Sequence, residues 1–138
     1  RRQLEYLRLT HPFALTWARL FYLYGDGQAE GSLLPKLKQA VKQGEPRFNM
    51  SGGEQLRDYL PMSDVAKNLA LLALNKADIG VVNICSGKPI SVRKQVETWI
   101  DENNWNIGLN LGHYPYPDYE PLAFWGDRKK LDRFLTSI

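Results

Sequence analysis

Arg57 is the residue of this 138-residue chain whose chemistry points most directly to a binding site. A guanidinium presents planar, paired N–H donors that match phosphate oxygens, so a small anionic ligand would suit it. The alternative is a solvated arginine or one paired with Asp58, the commoner situation in proteins. Asp58 and Asp64 could act as general bases. We expect instead that Asp64 caps a helix and that Asp58 orients backbone or Arg57.

Metal and nucleophilic chemistry find little support in the sequence. His11 and His113 form neither an H-x-x-x-H nor an H-x-E pattern, and Cys85 is the single cysteine. Neither a metal site nor a catalytic triad is therefore predicted. Asp118 and Glu120 make a poor acid pair, because no further catalytic partner is identifiable. One cysteine excludes an internal disulfide and favours a reducing compartment, so we expect a cytoplasmic protein.

Composition and charge are ordinary for a globular chain, with 43% hydrophobic residues, 24% charged residues and a net charge of +3. Basic residues are spread along the chain, and the aromatic residues alternate with apolar residues or prolines. A nucleic-acid partner is therefore not expected. The longest aliphatic run covers residues 69–74, far short of the roughly 18 residues of a membrane helix. No membrane partner is expected either.

The order of apolar segments and turn residues predicts an α/β fold. Residues 13–21 are apolar on both faces and predict a strand buried on both sides, and residues 81–85 predict a second short buried strand. Short strands are also predicted over residues 47–50 and 107–111. Helices are predicted after N-terminal caps, namely Ser32, Ser63 or Asp64, Ser91 and Asp127.

Two core strands cannot form a stable covered sheet by themselves, so the chain is interpreted as the second half of a larger α/β protein. It begins at Arg1, within a predicted helix over residues 1–9. We therefore expect a fragment or a processed product of a longer protein.

Four blocks of sequence, in the same order along the chain, resemble one known family. Residues 53–66, GEQLRDYLPMSDVA, are similar to the signature Q-x-R-D-(Y/F/W)-(I/V/L)-x-V-x-D-(V/L)-A of the extended short-chain dehydrogenase/reductases. These are nucleotide-sugar epimerases, dehydratases and reductases. Residues 19–25, RLFYLYG, resemble the family's R-x-x-N-x-Y-G strand end, and residues 82–87, VNICSG, its Y-N-I-G-S-G strand. Residues 123–127, AFWGD, resemble its A-x-W-A-D segment before the last helix.

The resemblance implies a Rossmann-type α/β fold and an oxidoreductase or isomerase that uses NAD or NADP to modify nucleotide sugars, as in cell-surface polysaccharide biosynthesis. The family's G-x-x-G-x-x-G fingerprint and its catalytic Y-x-x-x-K are not among these residues. The chain is therefore expected to start a few residues after the catalytic lysine, to hold no catalytic residue and to be inactive alone. Its implied partners are a nucleoside-diphosphate sugar, the missing N-terminal half and a second copy in a homodimer.

The resemblance also implies a division of the chain. Residues 1–31 would end the dinucleotide-binding domain, and residues 63–90 would pack back on that domain. Residues 32–62 and 91–138 would form the smaller substrate-binding subdomain.

On the substrate side, the resemblance assigns the diphosphate to Arg57. Tyr22 stands where the family often has an asparagine facing the substrate. Its phenol could donate a hydrogen bond to the sugar or phosphate, or its ring could pack under the cofactor. Asn83 ends a predicted strand, where ligands gather in parallel sheets, or it is a satisfied turn amide.

Five apolar residues match further positions of the family. Leu20 and Phe21 correspond to the floor under the nicotinamide, with plain strand core as the alternative. Leu34, Phe48 and Met50 match positions around the nucleotide base, where apolar and aromatic side chains would sandwich a ring. Ordinary core is the alternative for these three residues.

The C-terminal segment departs from the family pattern. Many relatives place a second phosphate-binding arginine there, whereas residues 113–121 read HYPYPDYEP, and Phe124 replaces a frequent tyrosine. His113 or a tyrosine could substitute for that arginine. Either the diphosphate is held differently or the sugar chemistry differs. A non-catalytic nucleotide-binding or oligomerisation module that kept the fold is the alternative to an enzyme. The choice between NAD and NADP, the base, the sugar and the reaction type stay open.

Overall fold

The computed structural model describes residues 1–75 and 77–137. Within these ranges, no helix combines the length and the hydropathy that crossing a membrane requires. Single helices separate groups of two or three short strands, in the following order: α1 (Arg2–Leu7), β1 (Thr16–Leu20), β2 (Tyr22–Tyr24), α2 (Leu33–Lys42), β3 (Arg47–Asn49), β4 (Leu56–Arg57), β5 (Tyr59–Pro61), α3 (Met62–Leu74), β6 (Gly80–Ile84), β7 (Ile90–Ser91), α4 (Val92–Glu102), β8 (Gly108–Asn110), β9 (Ala123–Phe124) and α5 (Lys129–Thr136).

Parallel pairing of distant strands organises the fold. β1 pairs with β6, so that Thr16 lies opposite Gly80 and Leu20 opposite Ile84. β2 pairs with β5 and β3 with β8, both in parallel. β4 lies between β7, which is antiparallel to it, and β9, which is parallel. Parallel strands joined through helices confirm the predicted α/β fold.

One hydrophobic core lies between α2, β3 and α4. Its buried members come from the apolar faces of the two helices and from the strand region: Leu34, Leu37, Phe48, Met50, Val96, Trp99 and Ile107. Ser91 begins α4 as predicted, because its Oγ accepts a hydrogen bond from the Lys94 backbone N–H over 3.1 Å. Ser32 occupies the N-cap position of α2, but its side chain makes no capping bond.

A second hydrophobic core joins α3, β6 and α5. Its buried members are Leu60, Val65, Leu72, Val82, Ile84, Leu131 and Phe134. The last helix therefore packs beside α3 and β6, although the resemblance places residues 91–138 in the substrate-binding subdomain. The division of the chain into subdomains stays a prediction.

The strand predicted over residues 13–21 is shorter and less buried than expected. β1 starts at Thr16, and only alternate residues face the second core, where Ala18 packs. Trp17 is 36% exposed and Leu20 is 47% exposed. Burial on both faces is therefore not seen among the described residues, because the face that carries Trp17 is left partly open. Burial of this face in a longer protein stays a prediction.

Two predicted helix caps also differ from the structure. α3 begins directly after Pro61, so Ser63 and Asp64 lie inside its first turn and neither side chain caps it. The strand β5 runs into this helix without an intervening loop, which leaves no position for a polar cap. At α5 the N-cap position is Arg128. Asp127 nevertheless accepts a hydrogen bond from the Lys129 backbone N–H over 2.8 Å.

Candidate functional site

The guanidinium of Arg57 is buried where β4 meets the C-terminal segment. The side chain is 3% exposed. Its Nη1 donates to the Leu56 carbonyl oxygen over 2.9 Å, and its Nη2 donates to Oε2 of Glu120 over 3.0 Å. The side chain of Glu120 is 39% exposed. A nearly buried cation is therefore paired with a carboxylate that still reaches solvent.

Aromatic rings form one side of this site. The Arg57 guanidinium carbon lies 5.4 Å from the centre of the Tyr22 ring, which is within cation–π range. The Tyr22 ring in turn contacts Tyr59 and Phe124, with centroid distances of 5.8 Å and 6.4 Å. Burial raises the pKa of Tyr59 to about 12, against the opposing effect of the Arg57 charge. The phenol is therefore neutral near pH 7, and Arg57 supplies the charge.

The position of Arg57 is fixed by the strands on both sides of it. It pairs with Ile90 of β7 on one side and with Phe124 of β9 on the other. The backbone N–H of Leu56 donates to the Leu122 carbonyl oxygen over 2.8 Å. A cation in a central strand cannot move far, so it is held in place before any ligand arrives.

Asp58, the next residue, is fully buried and satisfied by backbone donors. Its Oδ1 accepts from the Ser86 N–H over 2.6 Å. Its Oδ2 accepts from the N–H groups of Gly87 and Gly126 over 2.9 Å and 3.2 Å. The carboxylate thus joins the turn after β6 and the segment before α5 to the β4–β5 corner. Asp58 orients backbone, one of the two roles expected from the sequence.

Gly126, which the sequence analysis did not single out, is tightly packed beside Asp58. A Cβ atom there would lie 2.6 Å from Cys85 Sγ and 2.7 Å from Phe21 Cζ. The sequence does carry a sign of this close packing. In the AFWGD block, glycine stands where the family pattern has alanine. Burial, with a contribution from the Asp58 charge, raises the pKa of the Cys85 thiol to about 11. The thiol is therefore protonated at neutral pH and a poor nucleophile.

Leu20 and Phe21, matched to the cofactor side, lie at the end of β1, and Asn83, matched to the substrate side, lies near the end of β6. Leu20 is largely exposed, whereas Phe21 is half-buried and stacks on Phe124 with ring centres 5.3 Å apart. The side-chain amide of Asn83 donates to the Asp127 carbonyl oxygen over 3.1 Å. Phe124 therefore links Phe21 to Tyr22, whereas Asn83 is engaged with the start of α5.

The residues matched to the nucleotide base belong to the first core. Leu34, Phe48 and Met50 are 6%, 7% and 4% exposed. This is the ordinary-core alternative that the sequence left open. A cavity of about 340 Å³ opens beside Phe48, and its lining includes Lys36 and Tyr114. Contact of these three side chains with a base stays a prediction.

The segment over residues 113–121 contacts Arg57 through an acidic side chain, where the family pattern would place a basic one. The backbone N–H of His113 donates to the Met50 carbonyl oxygen over 2.9 Å, and the His113 ring packs against Tyr114. Glu120 supplies the contact with Arg57. The sequence had considered Glu120 only as an acid paired with Asp118. Among residues 1–75 and 77–137, no group of His, Cys, Asp or Glu side chains is arranged to hold a metal ion.

Comparisons with known proteins agree with the resemblance seen in the four blocks. The NAD dependent epimerase/dehydratase family matches residues 1–85. The chain is 30% identical over 122 residues to dTDP-6-deoxy-L-talose 4-dehydrogenase (NAD(+)) from Aggregatibacter actinomycetemcomitans, which covers 88% of this chain and 45% of that relative.

Solved structures show the same fold. A UDP-N-acetylglucosamine 4-epimerase from Methanobrevibacter ruminantium M1, in complex with UDP-N-acetylmuramic acid, matches with a TM-score of 0.83 and 24% identity, over 96% of this chain and 43% of that one. MoeE5 in complex with UDP-glucuronic acid and NAD matches with a TM-score of 0.72 and 25% identity, over 89% of this chain and 41% of that one.

The chain spans less than half the length of these three proteins. The family match nevertheless covers more than half of this chain, and it includes the strand that carries Arg57. On these grounds the chain belongs to the NAD dependent epimerase/dehydratase family.

Proposed function

We propose that this chain is the nucleotide-sugar-binding part of a longer, NAD- or NADP-dependent enzyme, and that Arg57 binds the diphosphate of the substrate. The relative named above acts on a dTDP-sugar, and two solved relatives hold UDP-sugars. The observation that carries the proposal is the buried guanidinium of Arg57, whose charge partner is a partly exposed carboxylate. Such a partner can be exchanged for a ligand at low cost.

The chemistry of Arg57 suits a diphosphate. A guanidinium donates charge-assisted hydrogen bonds to phosphate oxygens, and the Nη2 donor that Glu120 now holds would be the one to reach a ligand. Such a bond is stronger in a site from which water is largely excluded. The Tyr22 ring against the guanidinium leaves its in-plane donors as the groups that can bind a ligand. In this arrangement Tyr22 orients Arg57 and borders the substrate.

The apolar edge beside this site fits the flat end of a dinucleotide. Leu20, Phe124 and Trp125 are 47%, 47% and 52% exposed, and Phe21 stacks on Phe124. Apolar and aromatic side chains line most cofactor sites, so Leu20 and Phe21 would hold the nicotinamide ring. NAD or NADP would supply hydride transfer at that ring. Donors for its phosphates are expected in the family's glycine-rich segment, outside these 138 residues.

The uncovered apolar side chains of α1, of β1 and of the segment between them suit a further polypeptide segment. Leu4 and Leu7 are 39% and 45% exposed, and Phe13 and Trp17 are 37% and 36% exposed. We assign this surface to the N-terminal half of the longer protein. The chain alone would then associate in light scattering and would have no turnover. The homodimer of the longer protein and its cytoplasmic location stay predictions.

The test is binding of a nucleoside-diphosphate sugar to the full-length protein that contains this chain. Arg57→Ala should weaken the binding of UDP-glucose or dTDP-glucose by ten- to hundredfold, equal to about 1.5–3 kcal/mol, because it removes a charge-assisted contact. Calorimetry would measure both nucleotide-sugar and NAD(P) affinity, and the affinity for NAD(P) should stay the same.

The matched control is Arg93→Ala, which removes an exposed arginine that pairs with Glu97 on α4. It should leave both affinities unchanged. Equal nucleotide-sugar affinity of wild type and Arg57→Ala would overturn the proposed role of Arg57. If the full-length protein binds nucleotide sugars but turns over none of a panel of them, the alternative of a non-catalytic nucleotide-binding module is supported instead.

A further inference from the structure

Glu120 is the charged side chain that faces the outer donor of Arg57. Its Oε2 accepts from Nη2 of Arg57 over 3.0 Å, while Nη1 is turned toward the Leu56 carbonyl oxygen. The two partners differ in burial, with 3% of the arginine side chain and 39% of the glutamate side chain exposed. Glu120 can therefore return to water more easily than Arg57 can.

The loop that carries Glu120 is anchored at points close to Arg57. The Leu122 carbonyl oxygen accepts from the Leu56 N–H, and the Tyr116 hydroxyl accepts from the Glu54 N–H over 3.2 Å. Between these anchors the Glu120 N–H donates to the Pro117 carbonyl oxygen over 3.2 Å, which closes a turn. A change of the Glu120 side-chain rotamer can thus release Arg57 while the loop keeps its anchors.

We propose that Glu120 is an internal competitor for the diphosphate site, with its carboxylate occupying the donor of Arg57 that a ligand phosphate must take. This inference rests on the proposed function of Arg57. A carboxylate and a phosphate are both negatively charged and would use the same in-plane donor, so both cannot bind it together. Glu120 therefore determines the affinity of the site, because only the fraction of molecules with a released Arg57 is competent to bind.

The experiment measures UDP binding to the full-length protein by calorimetry. Glu120→Gln keeps the size of the side chain and removes its charge, so it should bind UDP about three- to tenfold more tightly than wild type. The matched control is Asp118→Asn, which removes the same charge from an exposed position two residues away in the same loop. The control should leave UDP affinity within about twofold, because an exposed charge in this loop is largely screened. In an Arg57→Ala background, Glu120→Gln should have no effect.

A second readout follows Glu120 itself. In protein labelled with ¹³C at the glutamate carboxyl groups, UDP should move the Glu120 signal toward that of exposed glutamates. In Arg57→Ala the signal should already lie there and should not move.

The outcomes separate the two proposals. If Arg57→Ala weakens UDP binding while Glu120→Gln binds no more tightly than wild type, or if the Glu120 signal is unmoved at saturation, the competitor role is overturned and the proposed function stands. If Arg57→Ala leaves UDP binding unchanged, the proposed function fails and the competitor role fails with it. Equal gains from Glu120→Gln and Asp118→Asn would show a general charge effect and would also overturn the competitor role.

Discussion

Arg57 and Asp58 are neighbours in one motif and both are buried, yet their charges are satisfied in different ways. Asp58 is 0% exposed and accepts hydrogen bonds from three backbone N–H groups. Arg57 is 2% exposed and shares its charge with a carboxylate on a partly exposed loop. The comparison teaches that two equally buried charges can differ in whether their partners reach solvent. We predict that this difference separates a structural charge from a binding charge.

The physical reason lies in what each partner can do. Backbone N–H groups of Ser86, Gly87 and Gly126 are fixed by the chain, so the carboxylate of Asp58 joins three segments permanently. The carboxylate of Glu120 can exchange Arg57 for water, because it already contacts solvent. Asp58 should therefore matter mainly for stability, and Arg57 mainly for ligand affinity.

The largest expected effect on stability follows from Asp58→Asn. The amide keeps the size of the side chain but replaces an acceptor with an NH₂ group that faces backbone donors. We expect the free energy of unfolding to fall by about 3 kcal/mol or more, since charge-assisted bonds are lost and buried donors are left without acceptors. Urea unfolding followed by circular dichroism measures this change.

The matched control for Asp58→Asn is Asp64→Asn, which changes an exposed carboxylate in the first turn of α3. It should cost about 0.5 kcal/mol or less. A similar small effect of Asp58→Asn would contradict the assignment of Asp58 as the residue that joins three segments.

A smaller loss of stability is expected from Gly126→Ala, which tests how tightly the segment beside Asp58 packs. The new Cβ would lie 2.6 Å from Cys85 Sγ and 2.7 Å from Phe21 Cζ, so the neighbours must move. We expect a cost of about 1–3 kcal/mol from this overpacking, measured by the same urea titration. Gly31→Ala is the control, because nothing lies within 4 Å of its Cβ position. Equal stability of the two variants would show that the segment is loose.

The smallest effect on stability is expected from removing the Ser91 hydroxyl at the start of α4. Its partner is a backbone N–H, as for Asp58, so it should contribute to stability. Ser91→Ala removes the bond from the Lys94 N–H to the Ser91 hydroxyl, so we expect a loss of about 1 kcal/mol in thermal or urea unfolding. Ser32→Ala removes a hydroxyl at an N-cap position where no such bond exists, and its cost should be a few tenths of a kcal/mol. A larger loss of stability from Ser32→Ala than from Ser91→Ala would contradict the idea that a fixed backbone partner marks a stabilising side chain.

Local patterns predicted much of the fold, and they failed where tertiary pairing decides. Ser91 and the strands near residues 47–50 and 81–85 follow from capping chemistry and apolar runs, and the structure has them. Ser63 and Asp64 are good caps in isolation, but β5 runs directly into α3. A pattern of residue types cannot show that a strand and a helix will join without a loop.

The candidate site was also predicted only in part, because some of its contacts join residues that are distant in the sequence. The resemblance identified Arg57 and Tyr22, which the structure brings into contact. It did not identify Glu120, which lies 63 positions from Arg57 in the sequence. The backbone donors to Asp58 lie 28, 29 and 68 positions away. Such pairings depend on the folded backbone and leave no local signal in residue type or spacing.

The central claim is that Arg57 is a binding charge rather than a structural one, and Arg57→Lys tests it most directly in the full-length protein. Lysine keeps the positive charge opposite Glu120 but loses the planar pair of donors. We expect the affinity for UDP-glucose or dTDP-glucose to fall about tenfold, while the free energy of unfolding changes by about 1 kcal/mol or less. Unchanged affinity together with a loss of about 3 kcal/mol in stability would contradict the claim and would place Arg57 in the same structural role as Asp58.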